Sequence, residues 1–88
     1  MPTVELTSDT WTDIKAAETL SDDTVYVIQN TGAVEIQAEA ETATAGSPST
    51  GYFRVPKMGA VYMSAANGTG IWCKAVGNAG EIHVEVKA

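Results

Sequence analysis

Polar and apolar side chains alternate strictly along Glu81-Ile82-His83-Val84-Glu85-Val86-Lys87. Successive side chains of a strand point to opposite faces, so Ile82, Val84 and Val86 share one face and Glu81, His83, Glu85 and Lys87 the other. One face is expected to be buried and the other wet. Just upstream, Ile71 to Val76 runs into Gly77-Asn78-Ala79-Gly80, and two β-type runs flanking such a turn predict a hairpin. A second hairpin is predicted around Asn30-Thr31-Gly32, because Asn and Gly accept the positive φ values of tight turns. There Val34, Ile36 and Ala38 alternate with Glu35, Gln37 and Glu39, whereas Val25-Tyr26-Val27-Ile28 is apolar on both faces. A strand of the latter kind is central in a sandwich or covered by a neighbouring subunit.

Eight β-type runs follow from the same patterning: Thr3 to Thr7, Trp11 to Ala16, Thr24 to Gln29, Ala33 to Glu39, Tyr52 to Val55, Ala60 to Ala65, Ile71 to Val76 and Glu81 to Lys87. Turns at Pro56-Lys57-Met58-Gly59 and Asn67-Gly68-Thr69-Gly70 place the last four in meander order. The competing helix is Trp11 to Leu20, with Ser8 or Asp9 as its cap and Ala16-Ala17-Glu18 favouring it. Its β-branched and turn-prone neighbours favour instead a strand ending near Ala16 and a turn through Leu20-Ser21-Asp22-Asp23. Residues 40–51, rich in Ser, Thr, Gly and Ala and broken by Pro48, are expected to form a long exposed loop. The predicted fold is all-β: one domain over residues 1–88, an antiparallel two-sheet sandwich of about eight short strands, jelly-roll-like.

A domain of 88 residues buries a smaller share of its surface than a large one does. One Cys permits no internal disulfide, and the usual remaining support for so small a β-domain is a partner subunit. The N-terminus carries no basic start followed by an apolar run, so synthesis in a cytosol is expected. No apolar stretch approaches the roughly 20 residues of a membrane-spanning helix. The net charge of −6 is uneven: residues 1–44 hold nine acids against Lys15 (−8), and residues 45–88 hold two acids against four bases (+2). An acidic chain with scattered bases lacks the clustered positive patch that nucleic acid requires. The asymmetry suggests an acidic face of one copy meeting a basic face of another.

Candidate chemistry is sparse. His83 is the only side chain that ordinarily titrates near neutrality, and a catalytic role needs a nucleophile or second acid/base group in reach. Cys73 is expected to be a small buried hydrophobe. A blue-copper site needs two His and one Cys, and the chain has one His. Glu81 and Glu85 lie on one strand face about 13 Å apart, too far for either class of glycosidase. No loop has the ligand spacing of a calcium cage, and no metal or cofactor is expected. The aromatics Trp11, Trp72, Tyr26, Tyr52, Tyr62 and Phe53 are candidates for core, subunit contact or a sugar-stacking platform.

Val25-Tyr26-Val27-Ile28-Gln29-Asn30-Thr31-Gly32, a Ser/Pro loop, Pro56-Lys57-Met58-Gly59, Gly70-Ile71-Trp72-Cys73-Lys74-Ala75 and Gly80-Glu81-Ile82-His83-Val84 follow one another in this order. That order resembles small all-β structural proteins of tailed bacteriophage virions, over most of the chain. The resemblance implies a non-enzymatic capsid decoration or cement protein, or an accessory head or tail component. Such a protein is made in the bacterial cytoplasm, incorporated into the virion, and docks on a lattice of major capsid or tail protein as a homotrimer or other homo-oligomer, without nucleic acid or membrane as partner. It carries over no catalytic residue. Contact is expected from strand edges and from apolar surface at Tyr26, Ile28, Tyr62 and Trp72, with the 40–51 loop ordering on binding. The alternative is a carbohydrate- or receptor-binding β-sandwich module, for which arrayed exposed aromatics are the discriminating observation.

Overall fold

The computed structural model describes residues 3–42 and 52–87. Its elements are β1 (Thr3–Leu6), β2 (Thr12–Asp13), α1 (Ile14–Ala17), β3 (Tyr26–Asn30), β4 (Ile36–Thr42), β5 (Phe53–Val55), β6 (Ala60–Met63), β7 (Thr69–Ala75) and β8 (Gly80–Val86). They form two four-stranded sheets, a first in the order β1-β8-β3-β6 and a second in the order β2-β7-β4-β5, and every pairing between strands is antiparallel. Each strand of the first half pairs with its counterpart in the second: β1 with β8, β2 with β7, β3 with β6 and β4 with β5. This is the winding of a jelly roll, in which a long antiparallel ribbon wraps into two sheets. The expected fold class is the one observed.

The alternation places the core correctly. Leu6, Ile28, Ile36, Ile71, Ile82 and Val84 lie between the sheets with essentially no exposure, as one face of an amphipathic strand must. Burying such a side chain contributes about 1.5–3 kcal/mol each. Val86, on the same side of β8 as Ile82 and Val84, is 47% exposed, because its neighbour across the sheet is Tyr26 at the start of β3 and the sandwich ends there.

Neither predicted hairpin exists. β3 and β4 belong to different sheets, as do β7 and β8, so Thr31 to Glu35 and Val76 to Ala79 are arches from sheet to sheet. The last four strands likewise alternate between sheets and make no meander. Gly32 shows why the turn chemistry misled. A Cβ there would stand 2.8 Å from the Glu81 backbone nitrogen, so this glycine permits an arch to cross β8 and supplies no positive φ. Asn30 is the last residue of β3, buried on the core face.

The run from Trp11 also differs from expectation. The strand is two residues long and passes directly into one helical turn, α1. The cap is Asp13, neither Ser8 nor Asp9: its Oδ1 accepts from the Lys15 and Ala16 amides at 3.1 and 3.4 Å, satisfying two donors that a helix start leaves without partners. The same oxygen accepts from the Ile71 amide at 3.2 Å, fastening α1 to β7. Of the expected 40–51 loop, residues 40–42 extend β4 and residues 43–51 lie outside the described residues.

Candidate functional site

Of the four residues expected at an interface, two cannot reach a partner. Tyr26 and Ile28 are 4% and 0% exposed, in the core. The Tyr26 hydroxyl accepts from the Ser21 amide at 2.7 Å, so a ring that the sequence offered as surface is a packed side chain with its polar tip satisfied. Their strand is central, between β8 and β6, and its outward residue Val27 lies half-buried between Tyr62 and Glu85 on the neighbouring strands. Trp72 lies on the outer face of the second sheet, half-buried, across from Asp13 and Glu39 on the neighbouring strands. Its indole Nε1 is shielded from solvent and donates to no acceptor among the described residues. Tyr62 alone is fully displayed, at 62% exposure on the edge strand β6, with Lys87 Nζ 5.7 Å from its ring centre.

Two further residues share that flank: Phe53, one of the six aromatics offered for core, subunit contact or sugar stacking, and Met58, which the sequence did not single out. Phe53 on edge strand β5 is 60% exposed and Met58, at the tip of the β5–β6 turn, is 82% exposed. The turn is closed by the Gly59 amide donating to the Pro56 carbonyl at 2.8 Å, and Met58 sits at its third position with φ of +67°. Glycine or asparagine ordinarily fills such a position, so the conformation of Met58 costs on the order of 1 kcal/mol. The sequence signal was the large apolar residue inside a Pro-x-x-Gly turn.

The aromatic side chains form no single array among the described residues. Trp11 and Tyr52 pack on each other over the second sheet, ring centres 6.5 Å apart and inclined by 58°, and Lys74 Nζ stands 5.0 Å from the Trp11 ring centre. Tyr62 is on the other sheet.

His83 lies half-exposed on the outer face of the first sheet, between Thr3 and Gln29 on the neighbouring strands, with Nε2 3.7 Å from a Glu85 oxygen. A recess of about 270 Å³ beside α1 is lined by Lys15, Leu20, Asp22 and Asn67, among others. Its cation is committed: Lys15 Nζ donates to the Ala66 and Thr69 carbonyls, both at 2.9 Å, and pairs with Asp22 at 2.6 Å. Three acceptors use all three ammonium protons, so Lys15 clamps the β6–β7 connection. Among the described residues no group of three or more His, Cys, Asp or Glu side chains could hold a metal ion, and no helix is long and apolar enough to cross a membrane.

Cys73 is fully buried in β7, as expected. Burial, with the Asp13 carboxylate as a smaller contributor, pushes its thiol up to about 12. The thiolate is the reactive form, so the native protein is expected to resist iodoacetamide at pH 8 for as long as it stays folded, while urea-unfolded protein alkylates readily. Mass spectrometry of the two samples checks this. The raised value also fixes a sign. The contribution of Cys73 is complete below the thiol's unfolded value and declines as pH rises toward about 12. Alkaline stability of Cys73→Ala should therefore fall less steeply than that of the parent.

No family model matches the chain, and neither a curated protein nor a solved structure matches it.

Proposed function

We propose that this chain is a non-enzymatic structural protein of a tailed-bacteriophage virion, a capsid decoration or cement protein or an accessory head or tail component, that associates with itself and docks on a protein lattice. The observation that carries this is the β5/β6 flank, where Phe53, Met58 and Tyr62 stand 60–82% exposed on adjoining elements, the kind of gathering of apolar side chains that marks a contact surface. The jelly roll is a recurrent architecture of viral capsid domains. It also serves lectins and enzymes, so the fold supports the proposal without deciding it. Cys73 is buried, Lys15 is committed to the Ala66 and Thr69 carbonyls, and His83 lies on an open sheet face.

Native mass spectrometry and light scattering at micromolar concentration test the self-association. A trimer or another closed oligomer is expected, and a monomer at every concentration overturns that part. Proteomics of purified particles from the encoding phage tests the location: the chain should be present at a fixed copy number relative to the major capsid or tail protein, and its absence from the particle removes the virion assignment.

A further inference from the structure

The charge asymmetry of the sequence becomes a spatial asymmetry in the fold. β1 and β2 begin the two sheets and β6 and β5 end them, so the first pair forms one flank of the sandwich and the second pair the opposite flank. The strands of the first flank, β1 and β2, carry Glu5 and Asp13 and no base. Residues 52–63, which build the other, carry Arg54 and Lys57 and no acid. Arg54 is engaged by Glu35 at 3.4 Å, whereas Lys57 is exposed and makes no ion pair among the described residues.

On the acidic flank, Glu5 stands directly across from Glu81 in the β1–β8 pairing. Like charges facing each other across an antiparallel pair are destabilising, and no lysine or arginine of the described residues pairs with either. A cation arriving from outside relieves that repulsion. On the basic flank the one uncommitted cation, Lys57, immediately precedes the strained and exposed Met58, with Tyr62 on the edge strand beyond. Both flanks end in four-residue edge strands of the first sheet, β1 and β6, each with one row of backbone groups left without a strand partner.

We propose that the β5/β6 flank of one copy docks on the β1/β2 flank of a second copy, Lys57 of the first meeting the Glu5–Glu81 pair of the second while Met58 and Tyr62 are buried against it. The partner is a second copy of this chain because the two flanks complement each other in charge. Such a contact is heterologous, with different surfaces on the two partners, and it closes into a ring or extends into a filament. The inference rests on the self-association in the proposed function and is independent of the virion assignment.

A charge exchange tests it. Lys57→Glu sets an acid against the Glu5–Glu81 pair and Glu5→Lys sets a base against Lys57, and each alone should weaken self-association at low salt by about tenfold or more, since like charges are then juxtaposed at the contact. The double variant should recover association, and an equimolar mixture of the two single variants should form mixed oligomers, both read by native mass spectrometry. Circular dichroism should show all variants folded, because both positions are exposed. An oligomeric parent whose association is unchanged in both single variants overturns this contact and leaves self-association standing. A parent that is monomeric throughout overturns both.

Discussion

Asn30→Ala is expected to remove about 3–4 kcal/mol of folding stability, as a leftward shift of the urea midpoint with little change in slope. Asn30 is the only buried polar side chain of the described residues, 1% exposed at the core end of β3. Its Nδ2 donates to the Val34 carbonyl at 2.7 Å and to the Val55 carbonyl at 3.0 Å, and its Oδ1 accepts from the Gly32 amide at 3.1 Å. One side chain thus ties the arch after β3 to itself and to β5 in the opposite sheet. Alanine keeps the strand and removes all three bonds, leaving backbone groups in a dry site, where each lost partner costs about 1–3 kcal/mol. Asn30→Asp keeps the shape and separates bonding from packing. Its carboxylate faces two carbonyl oxygens with no proton to offer, so at pH 7 it should be at least as unstable as alanine. Protonation restores one donor, and Asn30→Asp should recover part of the loss as pH falls, while Asn30→Ala shows no such recovery. Equal losses at both pH values for the aspartate variant would mean that the two carbonyl contacts contribute little.

Asn30 also shows what the sequence could and could not disclose. Tyr26, Ile28 and Asn30 continue one period-2 face, and a polar residue on an apolar face was a legible sign of a buried anchor. Its neighbours Thr31 and Gly32 suggested a turn more strongly, and local turn chemistry cannot distinguish a hairpin from an arch between sheets. Most strands were legible as runs of β-type residues, several with their own alternation, while the second run shrinks to two residues before α1. Their partners were not, since Val4 finds Ile82 across most of the chain and Val27 finds Tyr62 beyond two intervening strands, and nothing in a strand's own pattern encodes that choice. The same limit governs the surface. Tyr26 and Tyr62 look alike as aromatic residues in short strands, but Tyr26 shares the core face with Ile28 and the buried Met63, whereas Tyr62 stands opposite Val27 on the outer face of edge strand β6. The division of charge between the two halves was visible from the start, and it acquired a direction only when the winding put β1 and β2 at one edge of the two sheets and β5 and β6 at the other.

Gly70→Ala is expected to cost about 2–3 kcal/mol, although it adds one methyl group to a strand and alanine is ordinarily the better strand residue. The added Cβ would stand 2.6 Å from one carboxylate oxygen of Asp13 and 2.7 Å from the other. A carboxylate can swing aside, and the cost lies in what it leaves. Asp13 holds the Lys15, Ala16 and Ile71 amides, so displacing it uncaps α1, worth about 1 kcal/mol, and strands an amide of β7 in a partly buried site. The mechanism predicts non-additivity. Asp13→Ala alone loses the same three bonds and should destabilise by about 2–3 kcal/mol, and in that background Gly70→Ala should be neutral or slightly stabilising, since the obstacle is gone and strand propensity favours alanine. A coupling of about 2 kcal/mol in the double-mutant cycle locates the constraint in the carboxylate. Additive losses would place it in the backbone of β7, and Gly70 would then be required for a reason other than the close approach of Asp13.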